Sequence, residues 1–262
     1  MKIAFYGAGR AGKALYLFFK EKGLEVTGIY SRRLDQKEAS LDMIEVDIPI
    51  LSFESLYDMD VVILTVEDRS IKKEAKRLID GNVKAIIGHV SGSLPSTVIG
   101  RKGRFSLHPA MSLASVEAYK NLDKAIFSIE GDEEGLKAVK SIVDRLKVRY
   151  VTIEPEKKTL YHTACVISSN YLVAIESIAK ELLVDIGFPK NLAEEIVLSL
   201  GEGTLNNMKR LGIEKALTGP IARGDWDVVE RHKEELAKKD ELIKDIYTLL
   251  ATYLAKLKEK SL

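Results

Sequence analysis

The amino-acid sequence predicts an α/β fold, with a largely parallel sheet in the N-terminal part and an all-α C-terminal part. Up to about residue 152, short β-rich apolar runs alternate with helical patterns, an order that indicates right-handed β-α-β crossovers. From about Glu154, apolar positions recur at helical spacing and β-rich runs become scarce. Pro155 lies at this change, so we predict two domains, residues 1–152 and 153–262.

Seven apolar runs are the predicted strands of the first domain. In chain order they are KIAFYG, EVTGIY, DVVILTV, VKAIIGHV, RFSLHP, KAIFSIE and VRYVTI. In the second domain, Gly or Pro near 187–189, 201–203, 212 and 219–220 separates successive helices.

A glycine-rich turn follows the first strand directly. Its sequence GAGRAG has the GxGxxG spacing and runs into the helical segment KALYLFFKEKG. The first glycine of such a turn permits a tight bend, the second lets a pyrophosphate approach the backbone, and the third lets helix and strand pack closely. The helix N-terminus presents free N–H groups to the phosphates. We therefore predict a Rossmann-like dinucleotide site formed by residues Gly7, Ala8, Gly9, Arg10, Ala11 and Gly12.

The end of the second strand predicts which dinucleotide binds. Ser31 occupies the position where an acidic residue would bind the ribose 2′-hydroxyl of NAD, and Arg32 and Arg33 follow it. A hydroxyl and guanidinium groups suit a 2′-phosphate, because arginine offers a planar fork of donors and a permanent charge. These three residues favour NADP(H), and the alternative is a solvated basic turn.

Further candidates follow the next predicted strands, at the carboxyl edge where cofactor and substrate meet in open α/β sheets. Thr65 and Val66 are expected to line the nicotinamide side, and Asp68 to cap a helix beginning near Ser70. The segment Ser91, Gly92 and Ser93 offers hydroxyls and a close backbone approach to a small polar substrate, or it is a plain turn. His108, which must be extended before Pro109, is either substrate-binding or structural.

The strongest catalytic candidates open the helical domain. Lys158 and His162 are four residues apart on one helix face, and Asn170 follows two turns later. Hydride reduction of a C=O or C=N bond needs a proton donor, and a desolvated lysine or histidine can serve. The alternative for Lys158 is an exposed lysine at a helix start. Arg223 either binds a substrate carboxylate or forms an ion pair that fixes its turn, and Asp225 is predicted to cap the next helix.

Composition excludes several classes of function. The chain has 262 residues, a net charge of +1 and no long Lys/Arg run, so a nucleic-acid partner is not expected. We find no signal segment and no apolar run of about 18 residues, which predicts a cytoplasmic protein without a membrane partner. The single cysteine excludes an intramolecular disulfide and a zinc site of several thiolates, and no metal is expected.

Taken together, GAGRAG, YSRR, SGS, LHP, KTLYH, SNYLVA and LTGPIARGD resemble, in this order, the NADP-dependent Rossmann-type oxidoreductases with a helical C-terminal domain of formerly unknown function. The wider group includes ketopantoate reductase, pyrroline-5-carboxylate reductase and the β-hydroxyacid and 6-phosphogluconate dehydrogenases. In the β-hydroxyacid relatives a catalytic lysine and an asparagine lie four apart, after a Ser-Gly loop. Lys158, Ser91 and Gly92 match this pattern, whereas His162 replaces the asparagine.

The resemblance implies an NADP(H)-dependent oxidoreductase that reduces a small keto acid, similar to 2-ketopantoate, in a cleft between the two domains. Lys158, with His162, would supply the proton, and Ser91, Asn170 and Arg223 would position the substrate. The alternatives are an imine reductase of the pyrroline-5-carboxylate reductase type and a non-catalytic NADP-binding sensor. Relatives of this kind dimerise through the helical domain, so a homodimer is expected.

Overall fold

The structure, a computed structural model, describes residues 1–32 and 48–260, so the predicted cofactor ligand Arg33 lies outside the described residues. The chain divides into two compact units, Met1–Ser169 and Asn170–Leu262. The first unit contains the sheet and also the first three turns of a long helix. The second contains helices only in its described part.

An eight-stranded sheet forms the first unit, in the order β3-β2-β1-β4-β5-β6-β7-β8. All pairings are parallel except that of β6 with β7, which confirms the predicted α/β class and the largely parallel sheet. The strands are β1 (Ile3–Tyr6), β2 (Val26–Tyr30), β3 (Ile50–Leu51), β4 (Val61–Leu64), β5 (Ile86–His89), β6 (Arg104–Pro109), β7 (Ile126–Gly131) and β8 (Arg149–Thr152).

The central strands read as continuous apolar runs because both faces of the sheet are buried. In β1, Ile3 and Phe5 belong to one apolar cluster, whereas Ala4 and Tyr6 belong to another on the opposite face. Helices α1 (Arg10–Glu21) and α3 (Glu133–Leu146) supply the first cluster. Helix α2 (Asp68–Asp80) supplies the second.

The second unit consists of helices, as the 3.6-residue periodicity predicts. Helix α4 (Lys158–Asp185) begins after a 3-10 turn at Pro155–Lys157 and extends from the first unit into the second. It is followed by the other helices of the described chain: α5 (Lys190–Leu211), α6 (Gly219–Arg223), α7 (Trp226–Ala237) and α8 (Glu241–Lys260).

The register of the parallel strands sets where side chains of different segments meet. Tyr6, the last residue of β1, pairs with Tyr30 of β2 and with Leu64 of β4. Leu64 in turn pairs with His89, the last residue of β5. Because these strands end together, the segments that leave them begin at one edge of the sheet.

Candidate active site

The glycine-rich turn is shaped by close backbone packing. Gly7 has φ of +131°, and a Cβ atom there would lie 2.8 Å from the carbonyl oxygen of Thr65. A Cβ atom on Gly12 would overlap the carbonyl oxygen of Gly7, so this position also requires glycine. By contrast, a Cβ atom on Gly9 would meet no atom within 4 Å. The turn is therefore tight at both ends and open in the middle.

This arrangement fits a dinucleotide pyrophosphate. Helix α1 begins at Arg10, directly after Gly9, and its first N–H groups lack partners within the helix. These donors and the partial positive charge of the helix N-terminus adjoin the open backbone at Gly9. The remaining residues of the predicted turn are Ala8, Arg10 and Ala11. The Arg10 guanidinium donates a hydrogen bond to the carbonyl oxygen of Ala114 at 2.9 Å.

Thr65 supports the turn from beneath. Its hydroxyl donates to the carbonyl oxygens of Gly7 (2.9 Å) and Tyr6 (3.3 Å), and the residue is buried. The threonine thus links the ends of β1 and β4. Val66, the next residue, is half-buried at the same edge.

Arg32 pairs with a buried carboxylate that the sequence did not indicate. One guanidinium nitrogen lies 3.3 Å from Glu74 Oε1, and the arginine side chain is 44% exposed while that of Glu74 is 2% exposed. The second Glu74 oxygen accepts a 2.6 Å hydrogen bond from the Tyr6 hydroxyl, and burial together with this bond raises the pKa of Tyr6. Arg32 is thereby held at the end of β2, next to Ser31, with its side chain partly exposed to solvent.

The segment Ser91, Gly92 and Ser93 forms a turn whose hydroxyls are occupied. Ser91 Oγ and Ser93 Oγ donate to Asp68 Oδ2 at 2.7 and 2.8 Å. Ser91 Oγ also accepts from the backbone N–H of Ser93 and of Leu94. Helix α2 begins at Asp68 itself, so the predicted capping role is wrong: this carboxylate anchors the serine turn instead of capping a helix at Ser70.

Lys158 is fully buried, with 0% of its surface exposed, which overturns the alternative of an exposed lysine. Its ammonium donates to Ser106 Oγ at 2.6 Å and to the backbone carbonyl of Ser91 at 3.0 Å. Burial lowers the pKa of Lys158 to about 8, although Glu130 and Asp68 act in the opposite direction. The site therefore holds an amine that exchanges its proton near neutral pH.

Two histidine rings pack over Gly92. A Cβ atom on Gly92 would lie 2.6 Å from His162 Cδ2 and 2.8 Å from His108 Nε2, so a side chain at this position would strike both rings. His108 Nδ1 lies 2.9 Å from the hydroxyl of Tyr161. Burial, together with the charges of Lys158 and His162, lowers the pKa of His108 to about 4, so His108 is neutral at pH 7.

His89 has a structural place at the end of β5. It is fully buried, and its Nδ1 accepts from the backbone N–H of Ser91 at 3.2 Å. Burial lowers its pKa to about 4, with Lys158 adding to the effect. His89 thus holds the start of the serine turn and is neutral.

Two further candidates belong to the second unit. Asn170 is exposed and is the first residue of the second unit. Arg223, also in that unit, donates to Asp225 Oδ2 at 2.8 Å, so the ion-pair alternative describes its contact. Asp225 precedes α7, but its side chain makes no capping hydrogen bond.

Sequence reasoning missed three site residues: Ser106, Tyr161 and Glu74. Ser106 and His108 are two residues apart on β6, so strand periodicity places both on one face. Tyr161 lies between the candidates Lys158 and His162 in the segment KTLYH, three residues after the lysine. Glu74 gave no signal, since it lies among the charged residues of α2.

Two protein families match separate parts of the chain. Residues 2–88 match the family described as NADP oxidoreductase, coenzyme F420-dependent. Residues 125–254 match a family described as a domain of unknown function, DUF2520. No curated protein matches the sequence significantly.

Solved structures resemble the chain over nearly its full length. Protein TM1727 from Thermotoga maritima is 31% identical, with a TM-score of 0.78 and 99% of each chain covered. A Bacteroides fragilis protein named as an NADP oxidoreductase is 23% identical, with a TM-score of 0.75 over 97% of this chain and 98% of that one. A Plasmodium falciparum pyrroline carboxylate reductase with NADP bound shares the fold at 12% identity, with a TM-score of 0.63 and 98% of each chain covered.

None of the helices among the described residues combines the length and the apolar character needed to cross a membrane.

Proposed function

We propose that this chain, which belongs to the family of NADP-oxidoreductase-type Rossmann proteins that carry the DUF2520 helical domain, uses NADPH to reduce a small 2-keto acid. Family membership makes it an NAD(P)-dependent oxidoreductase. The choice of NADPH and the class of substrate are our inference from the residues of the site.

The preference for NADPH rests on Ser31 and Arg32. An acidic residue is absent at the end of β2, and Arg32 extends its partly exposed guanidinium there. The buried Glu74 restricts this side chain, so less rotamer entropy is lost when a 2′-phosphate binds. Arg33 follows directly in the sequence and would add a second charge.

The observation that carries the proposed chemistry is the buried Lys158. When bound, NADPH supplies a hydride to the carbonyl carbon, so the protein must supply a proton to the carbonyl oxygen. An amine whose pKa is about 8 can release a proton near neutral pH. Its hydrogen bonds to Ser91 and Ser106 fix this amine behind the serine turn. Because Lys158 has no exposed surface, the turn must shift before Nζ reaches a substrate.

A keto acid is the substrate class that fits the remaining candidates. We assign the contact with the substrate to Ser91, Gly92, Ser93, His108 and His162. Arg223 of the second unit, whose side chain is 63% exposed and pairs with Asp225, offers a guanidinium of the kind that binds a carboxylate. A 2-ketopantoate-like compound is our first choice, and a cyclic imine is the alternative substrate.

The test is NADPH oxidation, followed by absorbance, with a panel of 2-keto acids and cyclic imines that includes ketopantoate and pyrroline-5-carboxylate. Saturable turnover of a keto acid supports the proposal, and turnover of imines alone moves the activity to the other class. A silent panel with tight NADPH binding refutes the proposed reduction and favours a sensor.

Lys158→Met tests the role of the buried amine. Turnover should fall by roughly 10² or more while NADPH affinity stays nearly unchanged. Lys157→Met is the matched control, because Lys157 is exposed and forms an ion pair with Glu154 on the surface. Full activity of the Lys158 variant would place the proton donor elsewhere.

We also propose that two copies associate through the helical unit. Apolar side chains on α4 and α5 are exposed in the single chain; they include Tyr171, Val173, Ile175, Leu198 and Leu200. Soluble monomers rarely expose so many large apolar residues on neighbouring helices. A second copy that presents the same helices would cover them in a symmetric interface.

A further inference from the structure

We propose that Tyr161 holds His108 as its neutral Nε2–H tautomer, so that this N–H donates a hydrogen bond to the carbonyl oxygen of the substrate. His108 is then a catalytic residue and Tyr161 a positioning residue. The proposal rests on the reductase function proposed above, and it adds the donor that contacts the substrate.

The geometry around His108 is asymmetric. Nδ1 is 2.9 Å from the Tyr161 hydroxyl, whereas none of the described residues forms a hydrogen bond with Nε2. His108 Nε2 is not a buried atom without a partner, whereas Nε2 of His89 is one. One ring nitrogen of His108 is thus committed to the protein, and the other is available at Gly92.

The surroundings of Tyr161 indicate the direction of its hydrogen bond. Burial raises the pKa of Tyr161 to about 12, so the phenol keeps its proton. Ser128 is directly opposite His108 in the antiparallel β6–β7 pair. The buried Ser128 hydroxyl forms no hydrogen bond of good geometry. It is nevertheless close enough to the phenol oxygen to lower the pKa of Tyr161. Ser128 acts as a donor to the phenol oxygen, and Cys165 also contacts the Tyr161 hydroxyl. Since His108 Nδ1 lies at 2.9 Å, we assign the phenol proton to this nitrogen.

A hydrogen bond accepted at Nδ1 leaves the proton of a neutral imidazole on Nε2. His108 stays neutral because burial and the nearby Lys158 and His162 disfavour its charged form. A neutral N–H polarises a carbonyl without giving up its proton, so the proton that completes the reduction still comes from Lys158. We place the substrate carbonyl on the Nε2 side of the ring, next to Gly92 of the serine turn.

The proposal is tested first on the resting protein, without any substrate. The chain has four histidines, so nitrogen-15 spectra of histidine-labelled protein are simple, and the His108 signals are identified by their loss in His108→Gln. We expect an unprotonated Nδ1 and a protonated Nε2. In Tyr161→Phe the two nitrogen shifts should move toward each other as the tautomers mix. A protonated Nδ1, or spectra unchanged by Tyr161→Phe, would overturn the assignment of Tyr161.

The second test compares glutamine and asparagine at position 108. The glutamine amide nitrogen can take the place of Nε2, whereas asparagine reaches only the place of Nδ1. With ketopantoate as the probe, His108→Gln should therefore keep at least about tenfold more kcat than His108→Asn, a difference of about 1.4 kcal/mol. Equal activities would refute the donor role.

Tyr161→Phe should lower kcat by about tenfold with little change in KM. The matched control is Tyr57→Phe, an exposed tyrosine of the first unit outside the site, which should change neither kinetics nor the His108 spectrum. If the wild type does not reduce ketopantoate, the proposed function fails, and the spectra still decide whether Tyr161 sets the tautomer of His108. If the spectra confirm the tautomer but His108→Gln and His108→Asn have equal activities, only the catalytic role of His108 is refuted.

Discussion

Replacement of Lys158 by methionine should make the stability of the protein respond differently to pH. The wild-type side chain is fully buried and makes two hydrogen bonds, to Ser91 and Ser106. Methionine has a similar length and no charge, so the variant removes both the hydrogen bonds and the cost of burying an ammonium. The two effects have opposite signs and can be separated by pH.

The magnitude follows from the pKa. Burial lowers the pKa of Lys158 from 10.5 to about 8, a shift that corresponds to about 3 kcal/mol of unfavourable free energy when the amine is charged in both states. The folded state binds fewer protons than the unfolded state between these two pKa values, so the wild-type free energy of unfolding rises with pH through this range. The cost is complete below about pH 8 and disappears above about pH 10.5.

Two lost hydrogen bonds cost about 2 kcal/mol in total. Lys158→Met should therefore be about as stable as the wild type, or about 1 kcal/mol more stable, at about pH 7. At about pH 10 the wild type should be the more stable protein, because the difference shifts by about 2.5 kcal/mol between the two conditions. Urea unfolding of both proteins at the two pH values measures this shift. Parallel stability curves would refute the lowered pKa of Lys158.

Three further outcomes follow from the site and the helical unit. Arg32→Ala should weaken NADPH binding at least about tenfold while NADH binding barely changes, as measured by fluorescence titration, and equal losses would contradict the 2′-phosphate assignment. Gly12→Ala should lower the thermal unfolding midpoint strongly, because the new methyl overlaps the backbone of Gly7, whereas Gly9→Ala should fold normally and lose cofactor affinity. Val173→Lys should convert the proposed dimer to a monomer in sedimentation experiments, and an unchanged mass would exclude α4 from the interface.

Much of the fold could be predicted because its patterns are local. Strand β1, the glycine-rich turn and α1 follow one another without a break, and the third glycine is required by a contact only five residues away, with Gly7. The two-residue strand β3 (Ile50–Leu51) was missed because so short a run has no periodicity. Its place is set instead by its pairing with β2.

The meeting of the serine turn, His108 and Lys158 was only partly predictable. Parallel strands that end together bring the segments after β4, β5 and β6 to one edge, so their proximity follows from topology. The choice of partners does not, since it depends on distances across the fold. Both serine hydroxyls donate to Asp68, and the lysine donates to Ser106, which no spacing in the sequence indicates.

The burial of Lys158 also separates two roles that the sequence assigned to one residue. A group without exposed surface cannot be the first to contact a substrate, and Nζ already holds Ser91 and Ser106. His108 Nε2 has no such commitment, although the charge of Lys158 contributes to keeping the ring neutral. The two residues can therefore act in turn: His108 polarises the carbonyl, and Lys158 supplies the proton once the serine turn shifts. In His108→Asn, which lacks the donor, kcat should therefore still fall above about pH 8, because this pH dependence belongs to Lys158.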